Sequence, residues 1–365
     1  MSAEPRVVIV GGGVVGLACA LAFARRGAAV TLLEAEQQLA LAASGTNSGI
    51  LHTGFDATPG ELETELILRA AQLRPPVLAA LGVPFARCGA LLRPRGERDR
   101  AVIAGLAARA AANGVEAHVR AGDGALEVPG EGITDPVAFA GALAAAAERH
   151  GAEIRTGARV VEPVVADVVV NAAGLGAGRV ARLHGDASFD VVPRKGEFFV
   201  FDVAPPERIL LPVPSARTKG VLVFGTLDGR TVAGPTAIDL EEEDWSVRPE
   251  ARDEILAKAV AMYPPLAGAE PVFAYAGLRP AGRDGANYVV RRSDADPRLI
   301  HAAAIRSTGL TAALAIAERV VGLAGLGDRP EDELRPGAGP APGGATPWWR
   351  RSAEHRAAFA VGERA

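Results

Sequence analysis

Three glycines near the start of the chain have the spacing of a phosphate-binding turn. The pattern is Gly11-x-Gly13-x-x-Gly16, and it directly follows the apolar residues 7–10. In such a turn the first glycine permits a tight bend, the second lets the backbone approach a diphosphate, and the third lets a helix pack closely on the strand. The N-terminus of that helix offers N–H groups and the positive end of its dipole to phosphate. The pattern therefore predicts a dinucleotide site.

An acidic residue completes this unit. Glu34 stands at the end of a second apolar run, residues 28–33. A carboxylate in this place accepts hydrogen bonds from ribose hydroxyls and disfavours a 2′-phosphate. The glycine spacing alone is a weak signal, but strand, turn, helix, second strand and acid together indicate a complete βαβ nucleotide unit. This unit does not separate NAD from FAD.

The elements that must position this turn alternate between strand and helix. Residues 17–26 are rich in alanine and favour a helix, which Gly27 ends. A helix near residues 61–73 is expected to stop at Pro75-Pro76. Later members of the series are a helix to about residue 150, an apolar run at 168–170, strands near 288–290 and 300–304, and a final helix near 311–323. The alternation predicts a parallel sheet, while intervening stretches with β character predict a second sheet.

The bulk composition is that of a globular protein. The 365 residues are 49% hydrophobic and 22% charged, and the formal net charge is −4. No basic block points to nucleic acid as a partner. The cysteines and histidines show no metal-ligand spacing, so we expect no metal site. With neither a signal-peptide layout nor a long apolar run, we expect no transmembrane segment and a cytoplasmic location, and leave peripheral attachment to a membrane open.

Four further stretches carry a resemblance to a known family. They are an Asn-Ser-Gly-x-x-His-x-Gly pattern that begins at Asn47, the run from Ala166 to Gly174, the pair Thr218-Lys-Gly-Val and Gly234-Pro-Thr-Ala, and Gly277-Leu-Arg-Pro followed by Ile305-Arg-Ser-Thr-Gly-Leu-Thr. In this order, over about residues 6–326, the chain resembles the FAD-dependent oxidoreductases of the D-amino-acid oxidase-like superfamily. The first and third stretches are most similar to the glycerol-3-phosphate dehydrogenase/oxidase branch and its neighbour, L-2-hydroxyglutarate dehydrogenase.

The fold prediction follows from the alternation and this resemblance together. We predict the α/β (α+β) class, with a Rossmann-like FAD-binding domain and an inserted β-rich substrate domain. The FAD-binding domain is expected to consist of residues 1–76, 133–185 and 283–335, and the substrate domain of residues 77–132 and 186–282. Residues 336–365, rich in Pro, Gly and Ala, are expected to form a loose tail, within which Trp348-Trp349-Arg350-Arg351 are expected to pack onto a domain.

The resemblance implies FAD as the cofactor and assigns residues to it. The strand end at residues 171–174 would lie near the cofactor, Val160 would contact the adenine side through its backbone, and Gly309 would open the last helix toward the flavin. A helix N-terminus suits the negative charge that a reduced flavin carries near N1. The implied cofactor-binding residues are Gly11, Gly13, Val14, Val15, Gly16, Glu34, Ala35, Thr46, Asn47, Ser48, Gly49, Val160, Ala172, Ala173, Gly174, Gly277, Arg279, Arg306, Thr308, Gly309, Leu310 and Thr311.

A substrate site is implied in the same way. His52 would take the hydroxyl proton as hydride leaves the carbinol carbon, because imidazole is a suitable base near neutral pH. Arg279 would anchor an anionic group, since a guanidinium matches carboxylate or phosphate oxygens. Lys219 would hold a phosphate or lower the flavin's potential. These three are the implied catalytic residues, and Arg306 and Ser307 are further implied substrate contacts.

The expected reaction is hydride transfer from a small anionic hydroxy compound to flavin N5. Glycerol 3-phosphate, giving dihydroxyacetone phosphate, is the first expectation, followed by L-2-hydroxyglutarate or another 2-hydroxy acid and then by an amino acid. A flavin-binding sensor or assembly subunit and a nicotinamide dehydrogenase are the alternatives from other classes. Oxygen, a quinone and a partner protein all stay open as electron acceptors.

Two departures from the related sequences affect these expectations. No cysteine follows Cys88, so we expect no cysteine-rich or iron–sulfur C-terminal domain. The segment Glu61-Leu-Glu-Thr-Glu-Leu is acidic where relatives often carry lysine. If this helix borders the mouth of the pocket, a strongly anionic substrate is less welcome there.

Overall fold

The structure, a computed structural model, describes residues 4–214, 220–337 and 346–362, with side chains as far as Ala357. Its helices are α1 (Val14–Ala24), α2 (Leu62–Ala80), α3 (Glu97–Ala112), α4 (Pro136–Arg149), α5 (Ala177–Leu183), α6 (Ala251–Met262), α7 (Gly309–Leu323) and α8 (Trp348–Gly362). Its strands are β1 (Arg6–Val10), β2 (Ala29–Leu33), β3 (Ile50–Leu51), β4 (Phe85–Ala86), β5 (Ala90–Leu92), β6 (His118–Val119), β7 (Leu126–Val128), β8 (Gly132–Thr134), β9 (Glu153–Arg155), β10 (Val168–Asn171), β11 (Val191–Phe201), β12 (Ile209–Leu211), β13 (Leu222–Gly225), β14 (Thr231–Gly234), β15 (Ile238–Asp239), β16 (Pro271–Gly282), β17 (Val289–Arg292) and β18 (Leu299–Ala303). Over this part of the chain, none of the helices has the length and apolar character needed to cross a bilayer.

A largely parallel sheet holds the glycine turn. Its strand order is β17-β18-β10-β1-β2-β9, and only β17 runs antiparallel to its neighbour. Helix α1 packs between α4 and α7 on this sheet, and nearly all of its residues are buried. This burial explains why the α1 sequence is apolar on every side. The predicted α/β class with a parallel nucleotide-binding sheet is confirmed.

A second, mostly antiparallel sheet is built from both inserted stretches. Its strands follow the order β11-β14-β13-β12-β5-β7-β6. Strand β15 pairs with β11 at Arg194 and Lys195, on the same edge as β14, and β16 pairs along the opposite edge of β11. Strand β12 pairs with β5 in parallel, with Ile209 opposite Ala90, and this contact joins the two stretches into one sheet. Helix α6 covers one face through Ile255 and Ala259. A small third sheet has the strand order β3-β8-β4. Along the sequence, its strands come between strands of the two larger sheets.

The predicted end of the second helix is wrong. Helix α2 continues through Pro75 and Pro76 to Ala80, so the predicted domain boundary after residue 76 falls inside a helix. A proline in a helix removes a hydrogen bond but keeps a φ angle that suits the helix. Helix α2 packs along α7, and its buried side chains include Ile67 and Leu78. This packing outweighs the local cost of the two prolines.

The expectation of a loose tail is wrong for α8. Trp348 and Trp349 at its start are each only 6% exposed. Trp348 lies edge-on to Tyr275 with ring centroids 5.9 Å apart, and Trp349 lies 5.5 Å from Phe273. Large aromatic side chains stabilise such contacts by removing apolar area from water. The tryptophan pair therefore packs onto β16, as its composition indicates.

A buried polar network ties β10 to β18. His301 Nε2 lies 2.9 Å from Asp186 Oδ2, and Asn171 Nδ2 lies 3.3 Å from His301 Nδ1. Burial lowers the pKa of His301, so the neutral ring donates to Asp186 and accepts from Asn171. Burial acts to raise the pKa of Asp186. Hydrogen bonds from Ser188, Ser293 and His301 act more strongly in the opposite direction, so the pKa lies well below its usual range. The network stabilises the strand ends beside the nucleotide turn.

We expect Asp186→Asn to lower the free energy of unfolding by about 2–3 kcal/mol near pH 7, because buried donors lose a charged acceptor. The depressed pKa of Asp186 means that the carboxylate stabilises the fold above its unfolded pKa of about 4 and loses this effect as the pH falls. The difference between wild type and variant should therefore shrink in acid. Urea unfolding at neutral pH and below about pH 4 measures it. Asp294→Asn is the matched control because its side chain is 100% exposed; equal effects of both variants would contradict the prediction.

Candidate active site

The glycine turn brings backbone against backbone at the start of α1. Gly11 has φ +113°, a value that side chains disfavour, and a Cβ atom there would collide with the carbonyl of Ala172. A Cβ on Gly16 would collide with the carbonyl of Gly11. Gly13 stands just before the first turn of α1, where Val14 N donates to Ser44 Oγ at 3.0 Å. The turn is therefore shaped for close approach, as the spacing predicts.

A cavity of about 340 Å³ opens at this turn. Glu34 lies in its wall, where its carboxylate accepts from Gly12 N at 2.5 Å and from Glu36 N at 2.8 Å. The wall also contains these residues predicted to bind cofactor: Gly11, Gly13, Val14, Val15, Ala35, Asn47, Val160, Ala172, Ala173, Gly174, Arg306, Gly309 and Leu310. A cradle without Cβ atoms, the N-terminus of α1 and the first turn of α7 all meet here. This donor set fits the dinucleotide for which it is predicted.

The other predicted cofactor residues lie elsewhere. Thr46, Ser48, Gly277, Arg279 and Thr308 line a neighbouring cavity of about 570 Å³. Three others line neither cavity. Gly16 packs beneath the turn, Gly49 packs against the backbone of Thr134, and Thr311 accepts a hydrogen bond from the backbone of His52.

The second cavity contains the predicted substrate residues that the structure describes. His52, Arg279, Arg306 and Ser307 line it, and Lys219 lies outside the described residues. The walls of the two cavities share Ala43, Asn47, Arg306 and Ser307. The cavities are therefore adjacent, and a ligand that spans the first reaches the edge of the second.

His52 forms a pair with a buried glutamate. Its Nδ1 lies 2.9 Å from Glu131 Oε2, and Glu131 is 0% exposed while His52 is 25% exposed. Strand register explains the contact: Ile50 faces Ile133 and Leu51 faces Gly132 across β3 and β8, so the next residues, His52 and Glu131, face each other. The other carboxylate oxygen accepts from Thr53 N at 2.7 Å and from Thr53 Oγ1 at 2.8 Å.

The backbone of His52 is fixed from the other side by Arg74. This buried arginine donates to the carbonyl of His52 at 3.0 Å and to that of Thr311 at 2.7 Å. Thr311 Oγ1 in turn accepts from His52 N at 3.1 Å. Burial lowers the pKa of Arg74 to about 10, with Glu131 acting in the opposite direction. Arg74 and Thr311 therefore fix the backbone at His52 against the first turn of α7.

Arg279 is a cation for which the described residues provide no carboxylate partner. It lies on β16 directly opposite Arg194 of β11, and its Nη2 donates only a long bond of 3.4 Å, to Thr236 O. Among the residues that the structure describes, no carboxylate forms an ion pair with it. Burial lowers the pKa of Arg279 to about 10, so it stays charged at neutral pH. The arrangement suits an anionic ligand.

The acidic segment of α2 reaches the same cavity but its second glutamate is engaged. Glu63 accepts from Thr308 Oγ1 at 2.7 Å and from Asn287 Nδ2 at 2.6 Å, and lies 3.6 Å from Arg306 Nη2. Its charge therefore offsets that of Arg306 rather than facing an incoming anion. Of these two arginines, Arg279 is therefore the stronger anchor for an anion.

Sequence reasoning missed Glu131 and Arg74, whereas Glu63 belongs to the acidic segment that it identified. Glu131 carries a local signal, since an acid between Gly130 and Gly132 directly before a strand is unusual for a plain turn. Arg74 stands directly before Pro75-Pro76, and two prolines indicate a helix end but carry no information about the arginine. Neither signal names the residue's partner.

A dinucleotide cavity adjoins a cavity with a histidine–carboxylate pair and an arginine for which the described residues provide no carboxylate, an arrangement expected of a dinucleotide-dependent oxidoreductase. The family model described as FAD dependent oxidoreductase matches residues 6–323, and the chain belongs to this family. FAD is accordingly its cofactor, and the predictions of an FAD-dependent oxidoreductase and of its fold are confirmed.

Individual proteins agree with this assignment. A glycerol 3-phosphate dehydrogenase of Caloramator mitchellensis is 27% identical, over 86% of this chain and 72% of that protein. An L-2-hydroxyglutarate dehydrogenase of Escherichia coli O17:K52:H18 is 28% identical over 63% of each. The solved structure of dithionite-reduced L-α-glycerophosphate oxidase from Mycoplasma pneumoniae with FAD bound has a TM-score of 0.82 at 26% identity, covering 88% of this chain and 95% of that one.

We expect Gly11→Ala to weaken FAD binding at least about tenfold, because the new methyl group collides with the Ala172 carbonyl in a backbone conformation costly for alanine. The ratio of flavin to protein absorbance after purification, and FAD titration of the apoprotein, measure the effect. Gly322→Ala in α7 is the control, since nothing lies within 4 Å of its added Cβ. Equal flavin content in the two variants would show that the turn does not hold the cofactor.

Proposed function

We propose that this chain oxidises glycerol 3-phosphate to dihydroxyacetone phosphate. The observation that supports the proposal most directly is the common cavity of His52 and Arg279, which adjoins the nucleotide cavity. When bound, FAD accepts the hydride through flavin N5. The residues of the chain would bind the anionic group, remove the hydroxyl proton and fix the orientation of the substrate.

His52 is proposed as the base. A carboxylate only accepts hydrogen bonds, so the contact between Glu131 Oε2 and His52 Nδ1 at 2.9 Å requires the proton of neutral His52 to be on Nδ1. The lone pair is then on Nε2. Since His52 lines the substrate cavity, Nε2 is the atom available to take the hydroxyl proton as hydride departs. Removal of that proton leaves a carbonyl product.

Arg279 is proposed to bind the phosphate. It lacks a carboxylate partner among the described residues, whereas its register neighbour Arg194 is paired with Asp239 at 3.0 Å. A phosphate would supply the acceptor oxygens that the protein does not. Ser307 lines both cavities and is proposed to contact substrate beside the cofactor. Lys219 stays a proposed phosphate ligand, and its neighbour Gly220 lines this cavity.

L-2-hydroxyglutarate is the second candidate substrate. It carries two carboxylates, and Arg109 of α3 lines the cavity in addition to Arg279. Arg109 Nη1 donates to the backbone carbonyl of Asp56 at 3.0 Å. Among the described residues, four arginines line this cavity, and Arg109 and Arg279 together are the specific feature that favours a dicarboxylate, because each carboxylate then finds a cationic partner.

We expect glycerol 3-phosphate to bleach the visible flavin band of the purified holoprotein under anaerobic conditions, because hydride transfer reduces the flavin. In Arg279→Met the glycerol 3-phosphate concentration that gives half the maximal rate of flavin reduction should rise at least about tenfold, because a hydrogen bond to a charged group contributes roughly 1.5–3 kcal/mol. Bleaching by L-2-hydroxyglutarate instead would favour the second candidate. A flavin that neither compound reduces would contradict the proposed function.

We expect Glu131→Gln to slow flavin reduction by roughly 10²–10⁴-fold with little change in half-saturation. Thr53 donates two hydrogen bonds to one carboxylate oxygen, so the amide oxygen must face Thr53 and the amide NH₂ must face His52. Nδ1 then becomes the acceptor and the proton moves to Nε2. Anaerobic stopped-flow absorbance measures the rate, and ¹⁵N NMR of the histidines measures the tautomer without any substrate.

The matched control is Glu116→Gln, which changes an exposed glutamate that also pairs with a histidine, His118, at 2.9 Å. Its reduction rate should equal that of wild type. If Glu131→Gln reduces at the wild-type rate, or leaves the His52 proton on Nδ1, the assignment of His52 and Glu131 is wrong.

A further inference from the structure

The C-terminal helix α8 lies beyond the family match, which ends at residue 323, yet it reaches the nucleotide cavity. Its first turn is anchored on the second sheet. Trp349 Nε1 donates to Asp228 Oδ2 at 3.3 Å, and Trp348 packs against Tyr275 of β16. A helix held in this way has a defined position relative to the sheet beneath it.

Further along, α8 contacts the loop that follows β2. Arg351 Nη2 donates to Gln38 Oε1 at 3.0 Å and to Leu39 O at 3.1 Å, and Arg356 Nη2 donates to Leu41 O at 3.3 Å. The same loop supports the glycine turn. Ala40 N donates to Gly12 O at 3.1 Å. Helix α8 therefore supports the turn indirectly, by holding the loop that covers it.

Arg356 itself is part of the cavity wall. Its guanidinium lies 3.6 Å from the ring centroid of Trp245, and Arg356, Trp245 and Glu243 all line the nucleotide cavity. Arg356 Nε is buried and has no hydrogen-bond partner among the described residues. Burial lowers the pKa of Arg356, and nearby Glu36 and Glu243 act in the opposite direction. An unpartnered buried donor on a cation leaves a cost that an anionic ligand would remove.

We propose that Arg356 of α8 forms part of the FAD site and contacts the adenosine-diphosphate half of the cofactor. The diphosphate supplies acceptor oxygens for a guanidinium, and the stacked Trp245 ring holds the guanidinium plane in place. The family region provides the glycine turn, and the helix that follows it provides a second, cationic wall. This role is independent of which substrate the enzyme oxidises.

The test is calorimetric titration of the apoprotein with FAD and, separately, with ADP. Arg356→Ala should raise both dissociation constants by about the same factor, roughly tenfold, since one charge-assisted hydrogen bond is lost. Arg356→Glu should raise them further, because a carboxylate repels phosphate. Arg350→Ala is the control: it lies on the same helix, pairs with Glu354 at 2.7 Å and should bind both ligands like wild type.

Three results would overturn the proposal. The first is wild-type affinity in Arg356→Ala. The second is weakened FAD binding with unchanged ADP binding, which would place the contact at the flavin end. The third is equal affinity in Arg356→Ala and Arg356→Glu, which would show that charge is not involved. Thermal melting of each apoprotein, compared with Arg350→Ala, separates a loss of affinity from a loss of folding.

Discussion

The structure depends on one close contact, the approach of the α1 backbone to the strands beside it. Gly11 and Gly16 carry no Cβ atom, so α1 begins directly where β1 ends and the Ala172 carbonyl lies against the turn. Because β1 lies between β2 and β10, the turn that follows β1 has Glu34 on one side and the end of β10 on the other. The nucleotide cavity forms around that turn. The substrate cavity, which shares part of its wall, is placed by the same geometry.

Features encoded within a few residues were predictable from the sequence, and features made by distant segments were not. The glycine turn and Glu34 belong to one βαβ unit, so their spacing alone carries the signal. Glu131 is 79 positions from His52 and meets it only when β3 pairs with β8. The two incorrect predictions, that α2 ends at Pro75-Pro76 and that the tail is loose, have the same cause. Local proline cost and low-complexity composition are visible in a sequence, whereas packing of α2 on α7 and of Trp348 on β16 is not.

The arginines of the substrate cavity are distinguished by their neighbours and not by their type. Arg306 lies beside Glu63, which also holds the start of α7 through Thr308, so its charge is largely internal to the protein. Arg279 faces Arg194 across two strands and meets no carboxylate among the described residues. Glu63 therefore offsets the charge of Arg306, and Glu61 of the same acidic segment also lines the cavity. The charge that this cavity offers to an anion depends on which of its arginines the protein's own carboxylates already engage.

The parallel pairing of β5 with β12 also has a consequence for biosynthesis. Ala90 leaves the ribosome long before Ile209, so β5 and its partner β7 exist for some time with one open edge. An exposed strand edge is a template for pairing with another chain, and the exposure lasts until β12 has been synthesised. Strands β5 and β7 are each only three residues long, which limits that hazard. The nascent chain is therefore vulnerable to misassembly until residues 209–211 leave the ribosome.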